Sequence, residues 1–267
     1  MKILFCGDIV GRAGREAVLT HLPELKEKLN WDFLVVNGEN AAHGFGLTPK
    51  MFNLFRQKGV DVVTMGNHTF DKKEIFPTLD NEKNLIRPLN YPKGTIGHGS
   101  GIFELPDGRK IAIVQLLGCL FMHPAKNPFT AIDAFLKNCI LGKDVQAILV
   151  DMHGEATSEK MGMGFFCDGR VSLVAGTHTH VPTADAMILP NGTGYITDVG
   201  MCGDYYSIIG MQVKTALPRF VKGERQRLQP AEEQSTLCAV FLETDDTTGH
   251  CLQIRPIRAG AHLIEAL

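Results

Sequence analysis

Short apolar runs alternate with amphipathic stretches in the first third of the chain, a pattern that predicts alternating strands and helices. Predicted buried strands cover residues 2–6, 33–36 and 60–64. Apolar positions at helical spacing predict helices at 15–29, 49–58 and 72–79, the second of them with Thr48 as its N-cap. Strand and helix in this order predict parallel pairing with right-handed crossovers.

Later in the chain the pattern favours hairpins. The predicted hairpins pair residues 101–105 with 110–117, 186–189 with 194–197, and 237–243 with 251–257. Further strands are predicted at 145–150 and 171–175, and helices at 128–139 and from a cap at Thr157 or Ser158 toward Phe166. Residues 199–233 have no clear pattern. We therefore expect a single α/β domain over residues 1–267, with two mixed β-sheets packed as a sandwich and flanked by helices.

Composition narrows the class of protein. Hydrophobic residues make up 44% and charged residues 21% of the 267 positions, as in ordinary globular proteins. The net charge of -2 provides no basic excess for an extended nucleic-acid surface. No apolar run approaches the ~20 residues of a membrane span, and the N-terminal run is too short for a signal peptide. Seven scattered cysteines without a CxxC pair predict reduced thiols in a cytoplasmic protein.

Five predicted strands end in residues that commonly bind metals. These residues are Asp8, then Glu39 and Asn40, then Asn67 and His68, then His153, and finally His178 and His180. Ligands of open α/β sheets bind beyond the carboxyl ends of the strands. The set offers carboxylate, amide and imidazole groups without thiolate, which suits two adjacent hard or borderline divalent ions. In an extended chain the i, i+2 spacing of His178 and His180 would point both imidazoles to one face.

All of these residues except His68 also have a structural alternative. Asp8 is a candidate helix N-cap, Glu39 and Asn40 are candidate turn residues, and Asn67 suits a tight turn. His153 is a candidate core histidine, and the later pair are candidate loop residues. The joint metal site is favoured because these alternatives would have to coincide at five strand ends. The glycines at 7, 11 and 14 do not fit the dinucleotide spacing GxGxxG.

The ordered motifs resemble those of the calcineurin-like metallophosphoesterases, and more closely the bacterial YmdB-like phosphodiesterase family. The segments that carry the resemblance are GDIVG at 7–11, NGENAA at 37–42, MGNHTFD at 65–71, the histidine at 153 and GTHTH at 176–180. Val10 replaces a histidine that the broad superfamily usually has, and Glu39 replaces an aspartate. The YmdB-like group shares both departures, and Asn40 is placed to replace the missing histidine.

The resemblance implies a role for each site residue. Glu39 bridges two divalent metals. Asp8, Asn40 and His180 complete one metal site, whereas Asn67, His153 and His178 complete the other. His68 is the catalytic residue, which contacts the phosphoryl oxygens or protonates the leaving oxygen. Asp71 either orients His68 or caps a helix.

The resemblance also implies an activity, namely hydrolysis of small phosphodiesters by attack of a metal-activated hydroxide on phosphorus. The favoured substrates are 2′,3′-cyclic nucleotides and the products are 3′-nucleotides. Iron and manganese suit the ligands best, with zinc and magnesium left open, and the family suggests a homo-oligomer. The loop at 42–46 and Tyr205 and Tyr206 are candidates for the pocket, with packing roles as the alternative. A phosphomonoesterase and a regulatory protein acting through a partner remain alternative functions.

Overall fold

The computed structural model describes residues 1–122 and 125–266. Strands and helices alternate in the first third of the chain, and hairpins join them later, the last at the C-terminal end. The strands are β1 (Lys2–Ile9), β2 (Phe33–Asn37), β3 (Val62–Thr64), β4 (Leu85–Ile86), β5 (Ser100–Glu104), β6 (Lys110–Leu117), β7 (Ala147–His153), β8 (Leu173–Thr177), β9 (Met187–Ile188), β10 (Gly194–Ile196), β11 (Met201–Cys202), β12 (Thr236–Thr244) and β13 (Cys251–Gly260). The α-helices are α1 (Gly11–Leu29), α2 (Pro49–Gln57), α3 (Phe76–Asn81), α4 (Pro128–Leu136), α5 (Thr157–Cys167) and α6 (Val213–Val221), and a 3-10 turn at Lys73–Ile75 precedes α3.

Two mixed sheets are formed, as the sequence predicts. The first has the order β13-β12-β1-β2-β3-β4, with β11 also paired to β1, and the second has the order β5-β6-β7-β8-β10-β9. The strands β1 to β4 pair in parallel, as do β6, β7, β8 and β10. The three predicted hairpins are the antiparallel pairs β5–β6, β9–β10 and β12–β13. The predicted α/β sandwich flanked by helices is therefore confirmed.

Alternation along the strands produces three apolar layers. On β7, Leu149 packs into the layer between the sheets, whereas Ile148 and Val150 pack toward α4 and α5. On β1, Phe5 faces the other sheet and Leu4 faces α1. Burial of both strand faces explains why these runs are almost continuously apolar.

The layer between the sheets becomes polar at the carboxyl ends of its strands. Asn37, Thr64, Asp151 and Thr177 are fully buried there, Asp151 two residues before the end of its strand and the others at the last residue of theirs. Their side chains bond to one another across the two sheets. Buried polar groups need such partners, so this edge is built to support a polar site.

Several predicted boundaries are wrong. Helix α1 begins at Gly11 rather than at residue 15, and its first turn packs so closely that a Cβ on Gly14 would lie 2.3 Å from the Cys202 carbonyl oxygen. Helix α5 begins at Thr157 after Ala156, without a side-chain cap, so neither Thr157 nor Ser158 is the N-cap. The prediction of Thr48 as the N-cap of α2 is confirmed by its bond from the Met51 amide.

Two further segments differ from the expectation. A short strand at 85–86, which is absent from the predicted elements, pairs as β4 beside β3. The stretch at 199–233 contains β11 and α6. All seven cysteines are free, and six of them are buried. Among the described residues, no helix has the length and apolar character that a membrane crossing requires.

Candidate metal centre

One group of predicted ligands gathers around the imidazole of His153. Its Nε2 lies 3.0 Å from Glu39 Oε1, 3.0 Å from Asn67 Oδ1 and 3.1 Å from His178 Nδ1. Ligand atoms of Glu39, His153 and His178 all lie within 4.8 Å of one another. The structure therefore brings together the four residues that the sequence assigns to one metal.

The remaining predicted ligands lie beside this group. His180 Nε2 is 3.3 Å from Asn40 Oδ1. Asp8 Oδ2 accepts the backbone N–H of His178 at 3.0 Å, and Asp8 Oδ1 is 3.7 Å from His153 Nδ1. The N-cap alternative for Asp8 is wrong, since the cap residue of α1 is Val10 and no side chain caps that helix.

The histidine pair converges by a route that the sequence does not predict. Strand β8 ends at Thr177, and His178 and His180 follow with φ angles of 102° and 67°. The extended chain expected for the i, i+2 pair is therefore wrong. Left-handed backbone is strained for residues other than glycine, and such strain persists only where the surrounding contacts enforce it.

A buried ion pair supplies contacts of this kind. Lys160 on α5 lies 2.9 Å from Asp198 Oδ2, and both side chains are almost wholly buried. Asp198 Oδ2 also accepts the backbone N–H of Thr179, between the two histidines. His180 is fixed further because its Nδ1 donates to the Ile209 carbonyl at 2.9 Å. Lys160 and Asp198 are not among the predicted site residues, because a lysine within a helix and an aspartate in a loop are ordinarily exposed.

A second buried network fixes His153 and was also missed. Its Nδ1 lies 2.9 Å from Thr177 Oγ1, and the Thr177 hydroxyl donates to Asp151 at 2.6 Å. Asp151 also accepts from Asn37 at 3.0 Å and from Thr64 at 2.7 Å. Asp151 precedes His153 by two residues on β7, so strand alternation was the signal available in the sequence.

Gly66 allows the ligand groups to approach each other. A Cβ at this position would lie 2.3 Å from Glu39 Oε2 and 2.5 Å from His153 Nε2. Any other residue would have to displace the Glu39 carboxylate or the His153 ring. The glycine that precedes Asn67 therefore belongs to the architecture of the site.

The protonation equilibria of the cluster are strongly perturbed. Burial raises the pKa of Asp8 to about 6, against the attraction of His180 and His153. Burial would also raise the pKa of Glu39, but the charge and hydrogen bond of His153 outweigh it and lower that pKa to about 2. Burial opposes the charge on His153, yet Glu39 and Asp8 raise its pKa to about 9. Burial and the neighbouring His153 charge lower the pKa of His178 to about 3.

These residues fit a pair of divalent cations. Asp8 Oδ1 is buried and has no hydrogen-bond partner among the described residues, which is costly unless another group binds there. Two imidazole nitrogens lie 3.1 Å apart beside a carboxylate, an arrangement that a metal stabilises. Oxygen and imidazole ligands without thiolate match borderline and hard metals such as iron, manganese, zinc and magnesium.

His68 lies at the rim of this cluster. Its backbone N–H donates to Glu39 Oε2 at 3.1 Å, which ties it to the central carboxylate. Its side chain is one-quarter exposed, and its Nδ1 lies 2.8 Å from Asp71 Oδ2. Asp71 thus contacts His68, and the 3-10 turn that follows has Lys72 at its start without a side-chain cap. Among the described residues, the Nε2 of His68 has no hydrogen-bond partner.

The two tyrosines proposed for a pocket have different surroundings. The Tyr205 hydroxyl is within hydrogen-bond distance of Met201 and Cys238, which indicates a packing role. Tyr206 is 77% exposed, and its ring packs beside His262. The loop at 42–46 adjoins the site, because the amide nitrogen of the Asn40 side chain donates to the Gly44 carbonyl at 2.9 Å.

Comparison with known proteins identifies relatives over nearly the whole chain. A 2′,3′-cyclic-nucleotide 2′-phosphodiesterase of Bacillus subtilis is 46% identical over 257 residues, covering 96% of both chains. A putative phosphatase/phosphodiesterase of Mycoplasma genitalium is 40% identical over 265 residues, covering 97% of this chain and 92% of the relative.

Two solved structures are also similar to nearly the whole chain. A hypothetical protein from Thermus thermophilus superposes with a TM-score of 0.91 at 43% identity, covering 97% of this chain and 99% of the other. A novel phosphatase from Mycoplasma pneumoniae superposes with a TM-score of 0.91 at 37% identity, covering 97% and 93%.

A family model described as YmdB-like protein matches residues 4–257. The resemblance seen in the motifs is thereby confirmed across the chain, including the stretch at 199–233 that the pattern alone left unassigned. The chain belongs to the YmdB-like protein family.

Proposed function

We propose that the protein is a dinuclear-metal phosphodiesterase that hydrolyses small phosphodiesters, with 2′,3′-cyclic nucleotides as substrates and 3′-nucleotides as products. The observation that carries this proposal is the convergence of Glu39, Asn67, His153 and His178 at one strand edge. The Bacillus subtilis relative, 46% identical, carries the matching activity in its name. The whole chain, residues 1–267, would act as one domain.

The donor set indicates which residues would hold the metals. Glu39 would bridge them, with Asp8, Asn40 and His180 on one side and Asn67, His153 and His178 on the other. Two such ions, when bound, supply positive charge to the phosphoryl oxygens and lower the pKa of water. Iron and manganese suit these ligands best.

His68 is the group placed to move a proton. Asp71 binds its Nδ1, which fixes the ring, and Nε2 is the nitrogen that would contact the substrate. During hydrolysis an oxygen–phosphorus bond forms from water and the bond from phosphorus to the ribose O2′ breaks. A proton from His68 Nε2 would neutralise the leaving O2′ and leave a 3′-phosphate.

The experiment separates turnover from metal binding. His68→Ala is compared with the wild type for hydrolysis of 2′,3′-cyclic AMP and for metal content by elemental analysis. We expect turnover to fall by about 10²–10⁴-fold with both metals retained. His21→Ala, at a partly exposed histidine on α1, is the matched control and should retain full activity. Full activity of His68→Ala would refute the assignment.

A phosphomonoesterase is the second candidate, because the Mycoplasma relatives are named putative phosphatase/phosphodiesterase. Assay of p-nitrophenyl phosphate beside the cyclic nucleotide distinguishes the two functions. A metal-loaded protein that hydrolyses neither would instead favour a regulatory role through a partner. Seven free cysteines support a cytoplasmic location, and a homo-oligomer stays a prediction.

A further inference from the structure

A cationic cleft opens beside His68, outside the cluster of metal ligands. It has a volume of about 540 Å³, within the usual range for small-molecule sites. Its lining includes His43, Phe45, Lys72, Arg227 and Gln229, and among the described residues no carboxylate lines it. A cleft with this lining favours an anionic ligand.

The near wall of the cleft is continuous with the metal ligands. The Gly44 N–H donates to the Asn40 carbonyl at 3.1 Å, and the Gly46 N–H donates to the Glu39 carbonyl at 2.5 Å. Between these bonds, the Phe45 ring packs edge-on against His68 with centroids 5.1 Å apart. A ligand that reaches His68 from this side therefore passes over Phe45.

Lys72 is held against the same loop. A Cβ on Gly46 would lie 2.9 Å from Lys72 Cγ and 3.4 Å from the His68 carbonyl oxygen. This close packing fixes the stem of Lys72 against the loop next to the proposed proton donor, and Lys72 is one of the residues that line the cleft. Lys72 directly follows Asp71, whose carboxylate lies 2.8 Å from His68 Nδ1, so one short segment joins the cleft to the proposed proton donor.

The far wall, which carries Arg227 and Gln229, is also tied to the metal ligands. The Gln229 carbonyl accepts the Gln212 N–H at 2.8 Å. Ile209 lies three residues before Gln212, and its carbonyl accepts from the His180 imidazole. Pro230 packs near Gly44, which joins the two walls. Both sides of the cleft thus have a fixed relation to the site of phosphodiester hydrolysis.

We propose that this cleft binds a second phosphate of the substrate, on the 5′ side of the nucleoside whose 2′,3′-cyclic phosphate is cleaved. Lys72 and Arg227 bind that second phosphate. Phe45 packs against the nucleoside that lies between the second phosphate and the cyclic phosphate. The preferred substrates are therefore the cyclic-phosphate ends of short RNA fragments or 5′-phosphorylated cyclic nucleotides, rather than the free cyclic mononucleotide. This inference rests on the proposed phosphodiesterase function and specifies its substrate class.

Three substrates test the proposal: 2′,3′-cyclic AMP, its 5′-phosphorylated form, and the dinucleotide ApA ending in a 2′,3′-cyclic phosphate. In the wild type, kcat/KM should be about tenfold higher for at least one of the last two than for the first. The substrate with the higher kcat/KM shows whether the cleft binds a terminal phosphomonoester or an internucleotide phosphodiester. Equal kcat/KM for all three would overturn the inference while leaving the proposed function intact.

Matched variants assign the effect to the cleft. Lys72→Gln and Arg227→Gln should each bring the substrate ratio toward one. Lys73→Gln and Arg225→Gln, at exposed neighbouring positions outside the cleft lining, should keep the wild-type ratio. A preference that survives in both Lys72→Gln and Arg227→Gln would overturn the assignment of the phosphate to this cleft.

Binding of product-like ligands distinguishes failure of this inference from failure of the proposed function. Dissociation constants of 3′-AMP and of ApA with a 3′-phosphate are measured by calorimetry on the metal-loaded protein. Tighter binding of the dinucleotide to the wild type but not to Arg227→Gln supports the cleft even if no hydrolysis occurs. Equal binding of the two ligands to the wild type contradicts it, whatever the activity.

Discussion

The Nδ1 of His153 donates to the Thr177 hydroxyl at 2.9 Å, and this bond determines which nitrogen of the imidazole faces the ligand cluster. Because Thr177 donates its own proton to Asp151, its oxygen is left to accept from His153. The Nε2 atom is then directed at Glu39, Asn67 and His178. Outer groups of this kind hold metal-binding histidines in one tautomer and one orientation.

Thr177→Val keeps the shape of the side chain and removes the hydroxyl. We expect a loss of about 1–3 kcal/mol in stability, because His153 and Asp151 lose a buried partner. Metal affinity should fall by about 10–100-fold. Urea unfolding of the metal-free protein and metal titration measure the two effects.

Thr193→Val is the matched control, since Thr193 is fully buried and bonds to the Val171 carbonyl outside the ligand cluster. It should lower stability and leave metal affinity unchanged. Equal metal affinities for Thr177→Val and the wild type would show that Thr177 has only a packing role.

Gly66→Ala tests the close approach of the central carboxylate. The new methyl group would lie 2.3 Å from Glu39 Oε2, so the carboxylate or the His153 ring must move. We expect loss of bound metal and of turnover from a single added methyl group, measured by elemental analysis and assay. Gly162→Ala on α5 is the control, because its nearest contact would be 3.5 Å from Phe129 and alanine favours helix. Normal metal content in Gly66→Ala would contradict the described packing.

Metal binding should depend on pH. The raised pKa of His153, about 9, means that a proton must leave its imidazole when a metal binds at neutral pH. Apparent metal affinity should therefore rise about tenfold from pH 7 to pH 8 and level off above pH 9. Below pH 6 the dependence should steepen, because burial raises the pKa of Asp8 to about 6. Calorimetric titration in two buffers of different ionisation enthalpy measures the released protons, and the absence of proton release at pH 7 would refute this account.

The same His153 pKa predicts how the stability of the metal-free protein changes with pH. Its value in the folded state lies above the ordinary 6.5, so the Glu39–His153 pair stabilises fully below pH 6.5. That stabilisation is lost as pH rises through about 9. Thermal unfolding of the metal-free protein between pH 6.5 and 9.5 should show this decline in stability. If the decline is absent in Glu39→Gln, it is caused by the Glu39–His153 pair.

His178 and His180 are expected to serve different metals. His180→Ala should empty the site beside Asp8 and Asn40 first, whereas His178→Ala should empty the site beside Asn67. Metal occupancy in crystals of each variant measures this directly. Loss of the metal beside Asn67 in His180→Ala, with the other retained, would reverse the assignment.

The sheets were predictable because their strands are short apolar runs bounded by turns, as at 33–36 and 145–150. Strand β11 was not predictable, because it has only two residues and so shows no periodicity of its own. The helix predicted from residue 15 leaves out Gly14, although its lack of a side chain lets α1 pack against Cys202. Such close contacts depend on a partner distant in sequence.

The candidate site was predictable in its residues and less so in its geometry. Asp8, Glu39 and His153 each follow an apolar run, so their meeting at one edge follows from parallel pairing. The left-handed backbone of His178 and His180 does not follow, because it depends on Asp198 and Lys160 from other segments. The role of Arg227 could likewise not be predicted, since an irregular segment brings it to the cleft that Lys72 also lines.

Anomalous diffraction from crystals grown with manganese or iron tests the central claim most directly. The account predicts two peaks about 3.5–4 Å apart on either side of the Glu39 carboxylate, one beside Asp8, Asn40 and His180 and the other beside Asn67, His153 and His178. A single peak, or strong peaks only away from these seven residues, would contradict a dinuclear centre at this edge of the sheets.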